Sequence, residues 1–62
     1  MVFVRHKVTG EVLEVFDVAL DDYVFAGPPG VPAKARMVHR DEVEPDPFEA
    51  VLREGFTPWH DR

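Results

Sequence analysis

Ala33-Lys34-Ala35-Arg36-Met37-Val38-His39-Arg40-Asp41-Glu42-Val43-Glu44-Pro45 is the stretch on which the reading of this chain turns. It starts as an alternating strand and passes into a polar, turn-forming run with one apolar residue, Val43. Over residues 33–39, alternation sets Ala33, Ala35 and Met37 on one face and Lys34, Arg36 and Val38 on the other. The small residues are expected inward, where they let another layer approach closely. Arg40-Asp41-Glu42-Val43 then suits one tight 3₁₀ turn with Val43 pointing back into the core.

The preceding residues read as strands able to pair with this one. Val2, Val4, His6 and Val8 alternate with Phe3, Arg5 and Lys7, the period-two pattern of a half-buried strand. Thr9-Gly10 follows, and glycine supplies the positive φ that a tight hairpin needs. Residues 11–16 form the second strand, with Leu13 and Val15 opposing Val12, Glu14 and Phe16. Two registers compete. A two-residue loop pairs Val8 with Glu11, Arg5 with Glu14 and Val4 with Val15. A three-residue bulged loop pairs Lys7 with Glu11 and Arg5 with Leu13. The first is preferred, because the Val4–Val15 and Arg5–Glu14 pairs each contribute about 0.2–1 kcal/mol. Residues 17–22 fit either a helical turn or a bend, with Asp21-Asp22 reading as turn. Tyr23-Val24-Phe25-Ala26 is a third strand by composition. Gly27-Pro28-Pro29-Gly30-Val31-Pro32 cannot be regular, since its prolines lack backbone donors.

After the quoted stretch, Asp46-Pro47-Phe48-Glu49 is the sharpest local signal. Aspartate is a favoured N-cap, proline a favoured first helical residue, and glutamate at the third position completes a capping box. The expected helix is Pro47–Glu54, with Phe48, Val51 and Leu52 on its apolar face, Arg53 in its last turn and Gly55 just beyond. Phe56 is expected to pack back on Val51 or Leu52. Pro58 keeps Thr57 extended, and Trp59 stays near the helix end. The domain plan is a single unit, 1–62, with a β core over 2–45 and a capped helix with an aromatic tail over 46–62.

Composition narrows the class. Sixty-two residues make at most one domain with little core. With no cysteine, neither a disulfide nor a thiolate metal site can staple it. Seven Lys and Arg against 12 Asp and Glu give a formal charge of −5, which opposes general attraction to phosphate backbones. No apolar run approaches the roughly 18 residues of a spanning helix, and the N-terminus lacks a signal-like apolar segment. A soluble, cytoplasmic protein with no membrane contact is expected.

Catalytic chemistry finds little support. His6, His39 and His60 lack close ligand spacing, so no metal or other cofactor is expected. There is no Ser or Cys nucleophile, and His39 beside Asp41 would have nothing to activate. The carboxylates Asp41, Glu42, Glu44, Asp46 and Glu49 read as a solvated acidic face, because a catalytic pair needs a concave pocket. Gly27-Pro-Pro-Gly30 lacks the lysine and helix start of a phosphate loop. Arg5, Lys7, Lys34 and Arg36 are placed on outer faces with Phe3, Val12, Phe16 and Val38, the arrangement of a strip for single-stranded nucleic acid. The net charge favours a solvated or protein-covered face instead.

The succession of hairpin, third strand, Pro/Gly loop and fourth strand, followed by His39-Arg40-Asp41-Glu42-Val43-Glu44-Pro45, resembles the small SH3-like barrels, including Tudor-type and KOW-type modules. The resemblance spans about residues 2–45. It implies a mainly β fold: a partly open barrel of about four strands, here with a short C-terminal helix where that family forms a last strand. The opening Val4-Arg-His-Lys-Val-Thr-Gly-Glu-Val-Leu-Glu-Val15 is similar to short proteins of bacteriophages from high-GC hosts. The expected function is a non-enzymatic protein-binding or assembly module, in its specific form a phage structural or accessory protein, cytoplasmic or part of a virion. Its expected contacts with a protein partner or a second copy are Phe3, Phe16, Phe56 and Trp59; no small-molecule substrate is expected. The alternative is a nucleic-acid-linked regulator, binding weakly through the basic strip or mimicking DNA through residues 41–49.

Overall fold

The computed structural model describes residues 1–54. Five strands, β1 (Phe3–His6), β2 (Val12–Val18), β3 (Tyr23–Gly27), β4 (Arg36–His39) and β5 (Val43–Glu44), precede one helix, α1 (Pro47–Glu54). Short 3₁₀ turns occupy Pro32–Lys34 and Arg40–Glu42. The strands form one open antiparallel sheet in the order β4-β3-β2-β1-β5. The fold is therefore mainly β with a short C-terminal helix, and it has one strand more than expected. Val2, Val4, Leu13, Val15, Val24, Ala26, Val38 and Val43 bury one face of the sheet, and Ala50 of α1 joins them. Burying each Val or Leu is worth about 1.5–3 kcal/mol relative to leaving it wet. This cluster is the main source of stability in a chain that has no cysteine to cross-link.

The first hairpin adopts neither expected register. Phe3 pairs with Glu14, Val4 with Leu13 and Arg5 with Val12. The loop is four residues, 7–10, closed by His6 N–H donating to Glu11 C=O (2.8 Å) and Gly10 N–H to His6 C=O (2.9 Å). Gly10 has φ +76°, as the turn reading required. The preferred register was wrong by a slip of two residues. Such a slip keeps every side chain on its own face, so hydrophobic alternation cannot detect it. One local and one tertiary feature accompany the longer loop. His6 Nδ1 accepts the N–H groups of Val8 (3.2 Å) and Thr9 (3.3 Å), and β5 pairs His6 with Val43, which ends β1 there. Val8, expected inward, is 88% exposed.

Residues 19–23 resolve as a tight hairpin turn. Asp21 (φ 55°) and Asp22 (φ 67°) are both left-handed, and Ala19 N–H donates to Tyr23 C=O (2.9 Å). Two successive left-handed central residues match the right-handed twist of the flanking strands. Between Val15↔Ala26 and Asp17↔Phe25 the pairing shifts by one residue at Phe16, a β-bulge. The Pro/Gly loop turns at Pro29-Gly30, with Val31 N–H donating to Pro28 C=O (3.0 Å) and Gly30 at φ +80°. At Gly27 a Cβ would sit 2.8 Å from the Lys34 carbonyl oxygen, so the loop can fold this closely only over glycine.

The fourth strand corrects the opening expectation. Ala33 and Lys34 lie in a 3₁₀ turn, and β4 begins only at Arg36. Val38 is buried and Met37 is 52% exposed, the reverse of the predicted faces. Pairing explains the reversal: Val38 lies opposite the fully buried Val24, and Met37 opposite the outward Phe25. The alanines fitted an alternating pattern but belong to no strand.

The segment 40–43 behaves as its residues imply. Arg40–Glu42 is a 3₁₀ turn capped by His39, whose Nδ1 accepts Asp41 N–H (3.0 Å) while Glu42 Oε2 accepts His39 N–H (2.9 Å). Val43 then plugs the core. Helix α1 has the predicted bounds, with Asp46 Oδ1 accepting Phe48 N–H (2.9 Å). Glu49 turns its carboxylate to Arg53 (2.7 Å). The buried helix residues are Pro47 and Ala50, with Phe48 and Val51 packed beside the core. Leu52, expected on that face, is 83% exposed. At 3.6 residues per turn it stands about 200° around from Ala50.

Candidate interaction surface

The sheet has a second, outward face, and it mixes exposed apolar residues with Arg5, Glu14, Asp17 and Glu44. Phe3 (45% exposed), Val12 (51%), Phe25 (36%) and Met37 (52%) all project from it. Strand alternation puts them there, because each neighbours a residue committed to the core: Val4, Leu13, Val24 or Ala26, and Val38. Met37 and Phe25 are direct cross-strand partners, while Phe3 lies opposite Glu14, and Val12 opposite Arg5. Glu14 sits between the aromatic residues, opposite both Phe3 and Gly27. Its Oε1 accepts Gly30 N–H at 2.7 Å, so this carboxylate is spent on anchoring the Pro/Gly loop. Exposed apolar groups gathered on one face are what a docking surface offers, whereas scattered ones are ordinary.

The expected partner residues divide. Phe3 is exposed on this face. Phe16 is 6% exposed, so the outer-face placement given to it is corrected; the bulge breaks the alternation on which that placement relied. Phe56 and Trp59 lie outside the described residues. Sequence reasoning passed over Phe25 and Met37. The alternation of Tyr23 and Phe25 with Val24 and Ala26 was a usable signal for Phe25. Met37 became visible only once the face of β4 was known.

The four basic residues do not form a strip. Arg5 lies on β1 and its guanidinium meets Glu44 Oε1 at 2.9 Å. Lys7 is in the first loop, Lys34 in a 3₁₀ turn, and Arg36 at the start of β4 on the side of the strand shared with Val38. Strands β2 and β3 stand between β1 and β4. A backbone-tracking groove needs its cations in a row.

The acidic run is similarly committed. Glu44 pairs with Arg5, Glu49 with Arg53, and Asp46 with Arg40. Glu42 takes the His39 N–H, which is the main cause holding its carboxyl below the usual glutamate range. The same Glu42 approaches His6 Nε2 at 3.6 Å. Asp46 is held below the usual aspartate range, first by Arg40, while desolvation opposes that shift. His39 and Asp41, weighed as a base and its orienter, are tied into a turn cap, and Tyr23 meets the His39 ring edge-on at 5.0 Å. Among the described residues, no group of three or more His, Asp or Glu side chains is placed to hold a metal ion. Likewise none of the described helices is long and apolar enough to cross a membrane. Comparison with protein-family models, with curated proteins and with solved structures found no match to this chain.

Proposed function

We propose that this chain is a non-enzymatic binding module that docks a protein partner on the outer face of its sheet. The exposed set Phe3, Val12, Phe25 and Met37 carries this reading. The core face is already filled by the chain's own residues, so this second apolar face has no intramolecular use among the described elements. The occupant is a basic protein surface. The chain carries −5, and two copies would bring like charges together, whereas a cationic partner is attracted and steered. The sheet order, with a 3₁₀ turn leading from β4 into β5, supports reading the module as SH3-like. A phage structural or accessory protein is the specific form of the proposal, supported by the likeness of the opening hairpin. Trp59 of the tail is a further candidate anchor, as aromatic hot spots often are.

The test is a titration of the labelled chain with a cationic amphipathic peptide of alternating Lys and Val, followed by NMR. Perturbation of Phe3, Val12, Phe25 and Met37, abolished in Phe25→Ser/Met37→Ser, is expected. Light scattering on the same sample must show a monomer. A concentration-dependent dimer gives the face to a second copy instead. A monomer that binds neither the peptide nor a hydrophobic dye overturns the docking surface. A shift with labelled DNA that weakens with salt would favour the nucleic-acid reading, which the dispersed cations support less well.

A further inference from the structure

One side chain ties three separate elements together at the edge of the core. The Arg40 guanidinium donates to Asp22 Oδ1 in the β2–β3 turn (3.2 Å) and to Asp46 Oδ2 at the N-cap of α1. It also lies 5.2 Å from the centroid of the Phe48 ring, within cation–π range. Its backbone N–H donates to Asp22 C=O (2.9 Å). Among the described residues, the rest of the hold on α1 is a short apolar strip, Pro47, Ala50 and the partly buried Phe48 and Val51. Its buried residues are Pro47 and Ala50, Leu52 is exposed, and the Glu49–Arg53 pair lies within the helix itself. Eight residues are too few to remain helical in water without tertiary support.

We infer that α1 is a lid latched by Arg40, which opens as a unit from the core-bearing face while the sheet stays folded. The sheet has its own five-stranded ladder and, with Val2 leading into it, contributes every member of the core cluster but Ala50. The lid does, however, cover part of the face on which Val2 and Val43 lie with Ala50. Opening therefore uncovers apolar surface on the side opposite the proposed docking face. Regions with few buried contacts sit at the low-stability end of a native protein and open sub-globally.

Native-state hydrogen exchange of the full chain tests this, comparing wild type with Arg40→Gln and with Asp46→Asn. The asparagine keeps a capping oxygen but loses the charge that Arg40 holds. Amides of Val51 and Leu52 should exchange at least tenfold faster in both variants, while those of Val15, Val24 and Ala26 keep their protection. In wild type the helix amides should also exchange with little dependence on low urea, the mark of a small opening. Equal loss of protection in helix and sheet, or no change at the helix, overturns the lid. Should Arg40→Gln fail to fold, wild-type helix amides exchanging as slowly as the sheet amides would overturn it alone.

Discussion

Asp46 does two jobs, and they are separable. Its Oδ1 caps α1 through Phe48 N–H, and its Oδ2 meets Arg40. Asp46→Ala loses both and should cost about 0.5–2 kcal/mol from the cap. Thermal denaturation measures the total, and the asparagine variant isolates the charge. The depressed pKa of Asp46 fixes the pH dependence. A carboxyl with a lower pKa in the folded state than in the unfolded one contributes stability above the ordinary aspartate range, near pH 4. That contribution falls away as the pH drops through the depressed folded value. The wild type should thus lose stability below about pH 4 more steeply than Asp46→Asn, as read from urea midpoints across pH. Gly10 makes a purely conformational demand. Nothing lies within 4 Å of a Cβ built there, yet φ is +76°. Gly10→Ala should destabilise by about 1 kcal/mol or more through backbone strain alone. An unchanged melting midpoint would contradict the turn.

The β2–β3 turn is strained where the other turns are relaxed. Two L-residues, Asp21 and Asp22, occupy left-handed conformations, which glycine adopts at no steric cost and which aspartate and asparagine tolerate better than most other residues. Asp22 has a reason to stay, because Arg40 holds both its carboxylate and its carbonyl. Asp21 is exposed and forms no such clasp among the described residues. Asp21→Gly should therefore stabilise the protein, by up to about 1 kcal/mol, since a left-handed L-residue costs roughly 1–2 kcal/mol before the entropy of glycine is subtracted. Chemical denaturation gives the sign directly, and a loss of stability would mean that Asp21 makes a contact worth more than its strain. Strand β4 shows a different lesson. Its face is set by the strand beside it, because Val38 must meet Val24 across the ladder.

The whole molecule lives on a thin margin. A domain of this length has total stability on the order of 3–9 kcal/mol. Leu13 is fully buried at the centre of the sheet. Leu13→Ala should cost about 2–5 kcal/mol, a large share of that total, and leave a measurable unfolded fraction at room temperature. Circular dichroism against urea checks it, and a cost below 1 kcal/mol would mean that the core recloses around the gap. The same thinness bears on function. A chain with so small a core still leaves Phe3, Val12, Phe25 and Met37 outside it, which is the physical basis of the docking proposal.

Local chemistry was legible without the fold. Helix α1 and its Asp46 cap could be read from Asp46-Pro47-Phe48-Glu49, the positive φ from Gly10, and the inward Val43 from the 3₁₀ turn that precedes it. These features are settled within a few residues of chain, by capping bonds and allowed dihedrals. Tertiary structure decided whatever depended on a distant neighbour. The hairpin register turned on β5 reaching back to His6, since a two-residue slip leaves the hydrophobic pattern unchanged. The face of β4 turned on Val24, the burial of Phe16 on a bulge, and the scattering of the four cations on strand order. Alternation along one strand states which residues share a face. Which of the two faces is covered depends on the strands that lie beside it.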